Sequence, residues 1–445
     1  MSKFNKDILF LIFEKLQNNS KNSKFLFSCL MVNRIWCETM IPILWKNPWC
    51  YSINYCNKNS LYSIITSYLS NDIIESLTKK EILISNQSLA FDYLSFCRSI
   101  DTKIIDVIIS IGSSSEYDQF LLQEEIYSLF IKKCPEIKYL NIRGTYEIVY
   151  LPEAKFRLES LCELTCDTLI DPRYFYRLAH ICQQIQRIII INKNLKANYG
   201  TIKLIELQKN LKYFKWKDEE YLSELLLEDP YKDIFNILKK HANTLNHFEN
   251  NDFNEKLEKV AYRDLEILKI DFIEIYQVNY IIKNSLYLKE LLINDYHWDE
   301  DSFNDDSINF IRTIYENCFL IECLSIPIFP LLENHFIEFE KLLKRCQNLR
   351  SLYFKDTYYK ARELEYGDYL SNSLVKEASI NLRVIRISYD IRFSLKAFET
   401  FFEKWKGRPA VSIHFDDYYF YHKNGLYMNL ISKYKIEGVI KDIGV

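Results

Sequence analysis

Glycine and proline are scarce in this chain of 445 residues, which carries only 8 of the first and 9 of the second. That leaves little room for flexible linkers or for glycine-rich loops that cradle phosphate. No GxGxxG, P-loop or HExxH pattern occurs, so the nucleotide-binding turns and zincin-type metal sites those motifs build are not expected. No apolar run approaches the ~18–20 residues of a membrane span, and Ile188–Ile191 reads as a buried strand by its length. Excess positive charge is missing too. A net charge of −3 and a pI near 6.2 exclude a broad nucleic-acid or anionic-membrane surface. Met1 to Leu16 mixes Lys3, Lys6, Asp7 and Glu14 into its apolar residues and does not read as a signal peptide. The 12 cysteines are scattered, so without a leader they read as reduced thiols of a cytoplasmic or nuclear protein.

Metal and catalytic groupings fail on spacing. Cys162 and Cys166 have no second ligand pair, and His241 and His247 have no cysteine or carboxylate at ligand spacing. Asp299-Glu300-Asp301 with Asp305-Asp306 lacks the spacing and glycine of an EF-hand and reads as a solvated loop ahead of a helix at Ser307–Tyr315. The chain is expected to be no enzyme and to need no cofactor or metal.

What the sequence has is apolar and aromatic residues, 48% and 15% of the chain, enough for a folded protein. Its length exceeds one compact core, so two domains or a repeat array are expected. A junction recurs in which apolar residues occupy the first, fourth and sixth positions. It appears at Ile137-x-x-Leu140-x-Ile142, Leu161-x-x-Leu164-x-Cys166, Ile185-x-x-Ile188-x-Ile190 and Leu211-x-x-Phe214-x-Trp216. It returns from Leu265, Leu288, Ile321, Leu349 and Leu382, with a weaker copy at Leu245 and Phe248. Each copy predicts a short strand, and the interval fits a strand-plus-helix repeat. Cys134, Cys182, Cys318 and Cys346 stand three residues ahead of four copies, each after an amphipathic helix. Asp171-Pro172 and Asp229-Pro230 read as helix starts, an N-cap followed by proline in the first turn. Gly112-Ser113-Ser114-Ser115 reads as a polar loop before a helix at Gln119. Trp405-Lys406-Gly407-Arg408-Pro409 reads as a turn into a last strand, Val411–Phe415, that ends the array.

Between Phe4 and Trp45 lies a second pattern. Ile8, Leu9, Ile12, Phe13 and Leu16 recur at helical spacing, followed by Leu26, Leu30, Val32, Arg34 and Trp36, then Ile41-Pro42-Ile43-Leu44-Trp45. This two-part segment resembles the F-box family. Phe4-Asn5 stands where that family has leucine–proline, and Asn5 reads as an N-cap in proline's place; Asp7 stands for its glutamate and suits the helix dipole. The remainder, over roughly 120–390, resembles the cysteine-containing leucine-rich repeats found downstream of F-boxes. Together the resemblances imply a mixed α/β fold: a small helical F-box over 1–46, a helical linker over 47–119, and an irregular solenoid of alternating helices and short parallel strands over 120–445. They further imply a non-catalytic substrate receptor of an SCF-type cullin–RING ubiquitin ligase. Phe4, Ile8, Leu9, Ile12, Val32, Trp36, Leu44 and Trp45 would be the exposed apolar set that meets a Skp-family adaptor.

Side chains alternate across a strand, so the third, fifth and seventh positions of each junction point away from the core, onto the concave side of such a solenoid. Tyr139, Arg143, Arg187, Tyr213, Lys215, Tyr353, Lys355 and Arg386 are candidates there for contact with an unknown protein substrate, without nucleic acid or membrane. The alternative is a leucine-rich-repeat scaffold whose F-box-like helices cap the solenoid's open end.

Overall fold

The computed structural model describes residues 4–17, 23–50, 58–143, 148–194, 196–219, 231–250, 262–297, 302–356, 364–388, 391–416, 420–421 and 423–444. They fall into two compact units, Met1–Leu211 and Lys212–Val445. Each is a mixed α/β unit whose parallel strands alternate with helices.

The N-terminal unit opens with α1 (Phe4–Gln17), α2 (Ser23–Cys29) and α3 (Arg34–Lys46). The Asn33 side chain caps α3 by accepting from the Trp36 N–H at 3.0 Å, which satisfies one of the amides a helix start leaves unpaired. Asp7 lies in the first turn of α1 as expected. Asn5 is not its cap, because the helix already includes Phe4. Next come α4 (Lys58–Thr66), α5 (Asn71–Thr78) and α6 (Tyr93–Phe96). The strand series then runs β1 (Ser99–Asp101), α7 (Thr102–Ile109), α8 (Glu116–Lys133), β2 (Tyr139–Ile142), α9 (Ala154–Leu158) and β3 (Glu163–Asp167). It closes with α10 (Pro172–Ile181), β4 (Arg187–Asn192) and α11 (Tyr199–Glu206). β1 pairs with β2, β2 with β3 and β3 with β4, all parallel.

β1 falls inside the stretch expected to be a helical linker. Ser99 lies opposite Tyr139, so Cys97, Ile100 and Thr102 take the first, fourth and sixth positions of the junction. All three are buried. Cysteine and threonine in place of large apolar residues hide this copy from a pattern search. The predicted start of α10 holds, with Asp171 accepting from the Arg173 N–H at 2.7 Å and Pro172 following.

The C-terminal unit begins with β5 (Tyr213–Asp218), α12 (Tyr231–Leu238), β6 (His247–Asn250), β7 (Ile267–Glu274), α13 (Ile275–Lys283) and β8 (Glu290–His297). It continues with α14 (Phe303–Asn317), β9 (Cys323–Pro327), α15 (Glu333–Arg345), β10 (Ser351–Lys355), α16 (Leu364–Glu377) and β11 (Val384–Ile387). Last come α17 (Leu395–Trp405), β12 (Val411–Phe415), α18 (Gly425–Ile436) and β13 (Ile440–Gly444). Neighbouring strands pair in parallel from β5 through β13. The array therefore does not end at Val411–Phe415: another helix and another strand follow. The Asp229-Pro230 helix start and Asp299–Asp301 lie outside the described residues. Asp305 and Asp306 belong to the first turn of α14 rather than to a preceding loop, where the positive end of the helix favours carboxylates.

The fourth and sixth junction residues form the core face of the strands, from Leu140 and Ile142 to Ile385 and Ile387, all buried. Cys134, Cys182, Cys318 and Cys346 are buried and free, and each is the C-cap of the helix before it. Each backbone N–H donates to a carbonyl four residues back, and the small apolar thiol fits where the chain turns from helix to strand.

Candidate functional site

The first candidate surface is on α1–α3. Of the eight side chains expected to meet a partner, Leu9, Leu44 and Trp45 are 7%, 5% and 8% exposed and therefore belong to the interior. Trp45 lies against the Tyr93 ring at 4.6 Å and so ties α3 to α6. Phe13 is buried under Trp36, edge to face at 5.3 Å, which leaves Trp36 only partly accessible. The Phe4 side chain lies outside the described residues. Ile8, Ile12 and Val32 are exposed as expected. Four more exposed apolar side chains join them: Phe10, Phe27, Leu11 at 62% and Met31 at 86%. Glu38 ties α1 to α3 by accepting from Lys6 and Arg34, each at 2.8 Å. Those two hydrogen bonds, Lys6 first, hold its carboxyl below the ordinary range.

The second surface is the outward face of the strands. Arg187 is 3.4 Å from Glu163 on the adjacent strand. Lys215 lies 2.6 Å from Glu249, His247 is 2.7 Å from the same carboxylate, and Lys269 is 3.9 Å away. Burial opposes the charge of Glu249, but hydrogen bonds from His247 and Lys215 and the nearby positive charge outweigh it and hold the carboxyl at about 2. Lys355 donates to Asn294 at 3.3 Å, and Arg386 pairs with Asp416 at 3.1 Å. The Arg143 backbone N–H donates to Thr102 at 2.8 Å, and its guanidinium Nε has no partner among the described residues. Tyr353 is half-buried. Tyr213 is a correction: it is buried, its ring 4.3 Å from that of His247. Adjacent parallel strands lie about 4.8 Å apart, so aromatic rings at matching positions cover each other. The basic residues of this face are thus largely matched by acidic ones on neighbouring strands.

Two cavities of the N-terminal unit adjoin these surfaces. One of about 420 Å³ lies between α1, α3 and the strand entries, lined among others by Phe10, Ile43, Phe96, Arg98, Lys138 and Tyr139. Another of about 220 Å³ lies on the outward face of β1–β3, and Tyr139 borders both. Elsewhere, Ser307 Oγ and His335 Nε2 are 3.0 Å apart, but both residues are fully buried, so no substrate reaches the pair. Burial pushes the His335 imidazole down and keeps it neutral at physiological pH. Among the described residues no group of three or more His, Cys, Asp or Glu could hold a metal ion, and no helix is long and apolar enough to cross a membrane. Neither models of protein families nor curated protein sequences match this chain.

Proposed function

We propose that this protein is a substrate receptor of an SCF-type cullin–RING ubiquitin ligase, an F-box protein with a leucine-rich-repeat solenoid. Helices α1–α3 dock on the Skp-family adaptor, and the strand–helix repeats hold the protein to be ubiquitinated. The receptor supplies no chemistry of its own. It raises the concentration of target lysines at a conjugating enzyme bound elsewhere in the complex.

The observation that carries the reading is the exposed apolar set on α1, α2 and the turn from α2 to α3: Ile8, Phe10, Leu11, Ile12, Phe27, Met31 and Val32. Soluble chains seldom leave so many large apolar side chains in water without a partner to cover them. A second reading, in which these helices cap the repeat array, draws on a different face. The Trp49 indole N–H donates to the Ser99 carbonyl at 3.0 Å, and the Arg98 N–H donates to the Lys46 carbonyl at 3.0 Å. Those bonds engage the edge of β1 and leave the exposed set unexplained. Titration of the full chain with a purified Skp-family adaptor tests the reading, and absence of binding would remove it.

A further inference from the structure

We infer that the 220 Å³ cavity on β1–β3 receives one cationic side chain, arginine or lysine, from a segment of the recruited protein. This rests on the recruitment reading and names the chemistry of what is held. The floor comes from outward positions of three adjacent strands, Asp101 on β1, Tyr139 and Asn141 on β2, and Glu163 and Thr165 on β3; Trp49 forms a side. The volume is below the roughly 300–1,000 Å³ of small-molecule sites and suits one long side chain.

The lining is acceptor-rich. Asn141 donates its amide Nδ2 to Asp101 Oδ2 at 2.8 Å. An ionised aspartate only accepts, so this bond fixes the amide and leaves Oδ1 as the free end. That oxygen is buried and has no partner among the described residues. Burial pushes the Glu163 carboxyl up, and Arg187 at 3.4 Å only partly counters it. A second cation would relieve Glu163. Among the described residues no lysine or arginine lines the cavity, and only Arg187, beside Glu163, offsets its two carboxylates, so an anionic side chain is disfavoured there. The Trp49 indole N–H is already spent on the Ser99 carbonyl, which leaves its ring, like that of Tyr139, as an apolar wall of the kind that favours cations. A guanidinium, with five donors in one plane, matches this set of acceptors best.

The test is saturation-transfer difference NMR on the full chain with N-acetyl-arginine methylamide, N-acetyl-lysine methylamide and the neutral N-acetyl-norleucine methylamide. The arginine probe, or both cationic probes, should bind, and norleucine should not. Glu163→Gln should weaken binding at least fivefold. Thr165→Lys, which places a tethered cation in the cavity, should abolish it. Norleucine binding equal to arginine overturns the proposal. So does binding unchanged in Thr165→Lys with a wild-type thermal midpoint, a variant that decides the matter even if Glu163→Gln proves unstable. The chain is tested alone, so a failed adaptor titration alongside a bound arginine probe would remove the ligase reading and leave this site standing.

Discussion

Leu9 and Leu11 stand two residues apart on α1 and should respond oppositely to truncation. Leu11 is 62% exposed. Fully burying a leucine is worth about 1.5–3 kcal/mol, so an adaptor that covers the exposed part of Leu11 gains about 1–2 kcal/mol, roughly 5- to 30-fold in Kd. Leu11→Ser should therefore weaken adaptor binding by that factor while shifting stability by no more than about 0.5 kcal/mol. Met31, 86% exposed, should behave alike, and the two losses should combine if the sites are independent. Leu9 is only 7% exposed, and Leu9→Ala should cost about 2–5 kcal/mol of stability through the cavity it leaves. Trp36→Ala should fall between, since it removes the edge-to-face contact with Phe13, worth about 0.5–1.5 kcal/mol, together with partly exposed surface. Calorimetric titration with purified adaptor, beside thermal melts of each variant, separates the two effects. An unchanged Kd in a folded Leu11→Ser/Met31→Ser double variant would refute the docking face.

An impermeant maleimide should label exposed Cys50 quickly and leave Cys134, Cys182, Cys318 and Cys346 untouched until the chain unfolds; burial pushes the Cys318 and Cys346 thiols up to about 12. Fast native labelling of those four would contradict the helix–strand junctions. Glu249 is held at about 2, below its unfolded value near 4.3, so its stabilising contribution is present above that value and lost as pH falls toward 2. The wild-type and Glu249→Gln melting curves should therefore converge on acidification from about pH 5, and parallel curves would count against the Lys215–Glu249–His247 cluster. Gly367→Ala should destabilise by about 1–3 kcal/mol, because a Cβ there meets the Arg392 carbonyl oxygen. Gly425→Ala, with open space around it, is the control and should be neutral or mildly stabilising; equal effects at the two positions would refute the close approach at Gly367.

The repeating strands were legible because the first, fourth and sixth junction positions face one core, and that requirement acts on residue type at every copy. Leu265-x-x-Leu268-x-Ile270 marks β7 without further information. β1 escaped because small buried residues, Cys97 and Thr102, meet the same requirement without a large apolar signal. The proposed docking face was harder. α1 is apolar over six successive residues, Ile8 to Phe13, and such a helix has no polar side to show which face turns inward. The helical stripe joined the buried Leu9 and Phe13 to the exposed Ile8 and Ile12, and it passed over Phe10 and Leu11. Pairing across strands was illegible in a different way. Whether Lys215 is available to a partner depends on Glu249, 34 residues away, and on the register that sets them side by side.

Within each unit, strand order equals chain order, and this bears on how the protein is made. Each strand finds its hydrogen-bonding partner in residues translated just before it, so no pairing has to wait for a distant part of the chain. Contacts of that kind close short loops and favour fast folding. The cost falls on the most recent strand, which presents an unpaired parallel edge until its successor leaves the ribosome. That vulnerable edge moves along the nascent chain one repeat at a time, so a pause in translation between two strands exposes a different sticky edge depending on where it falls.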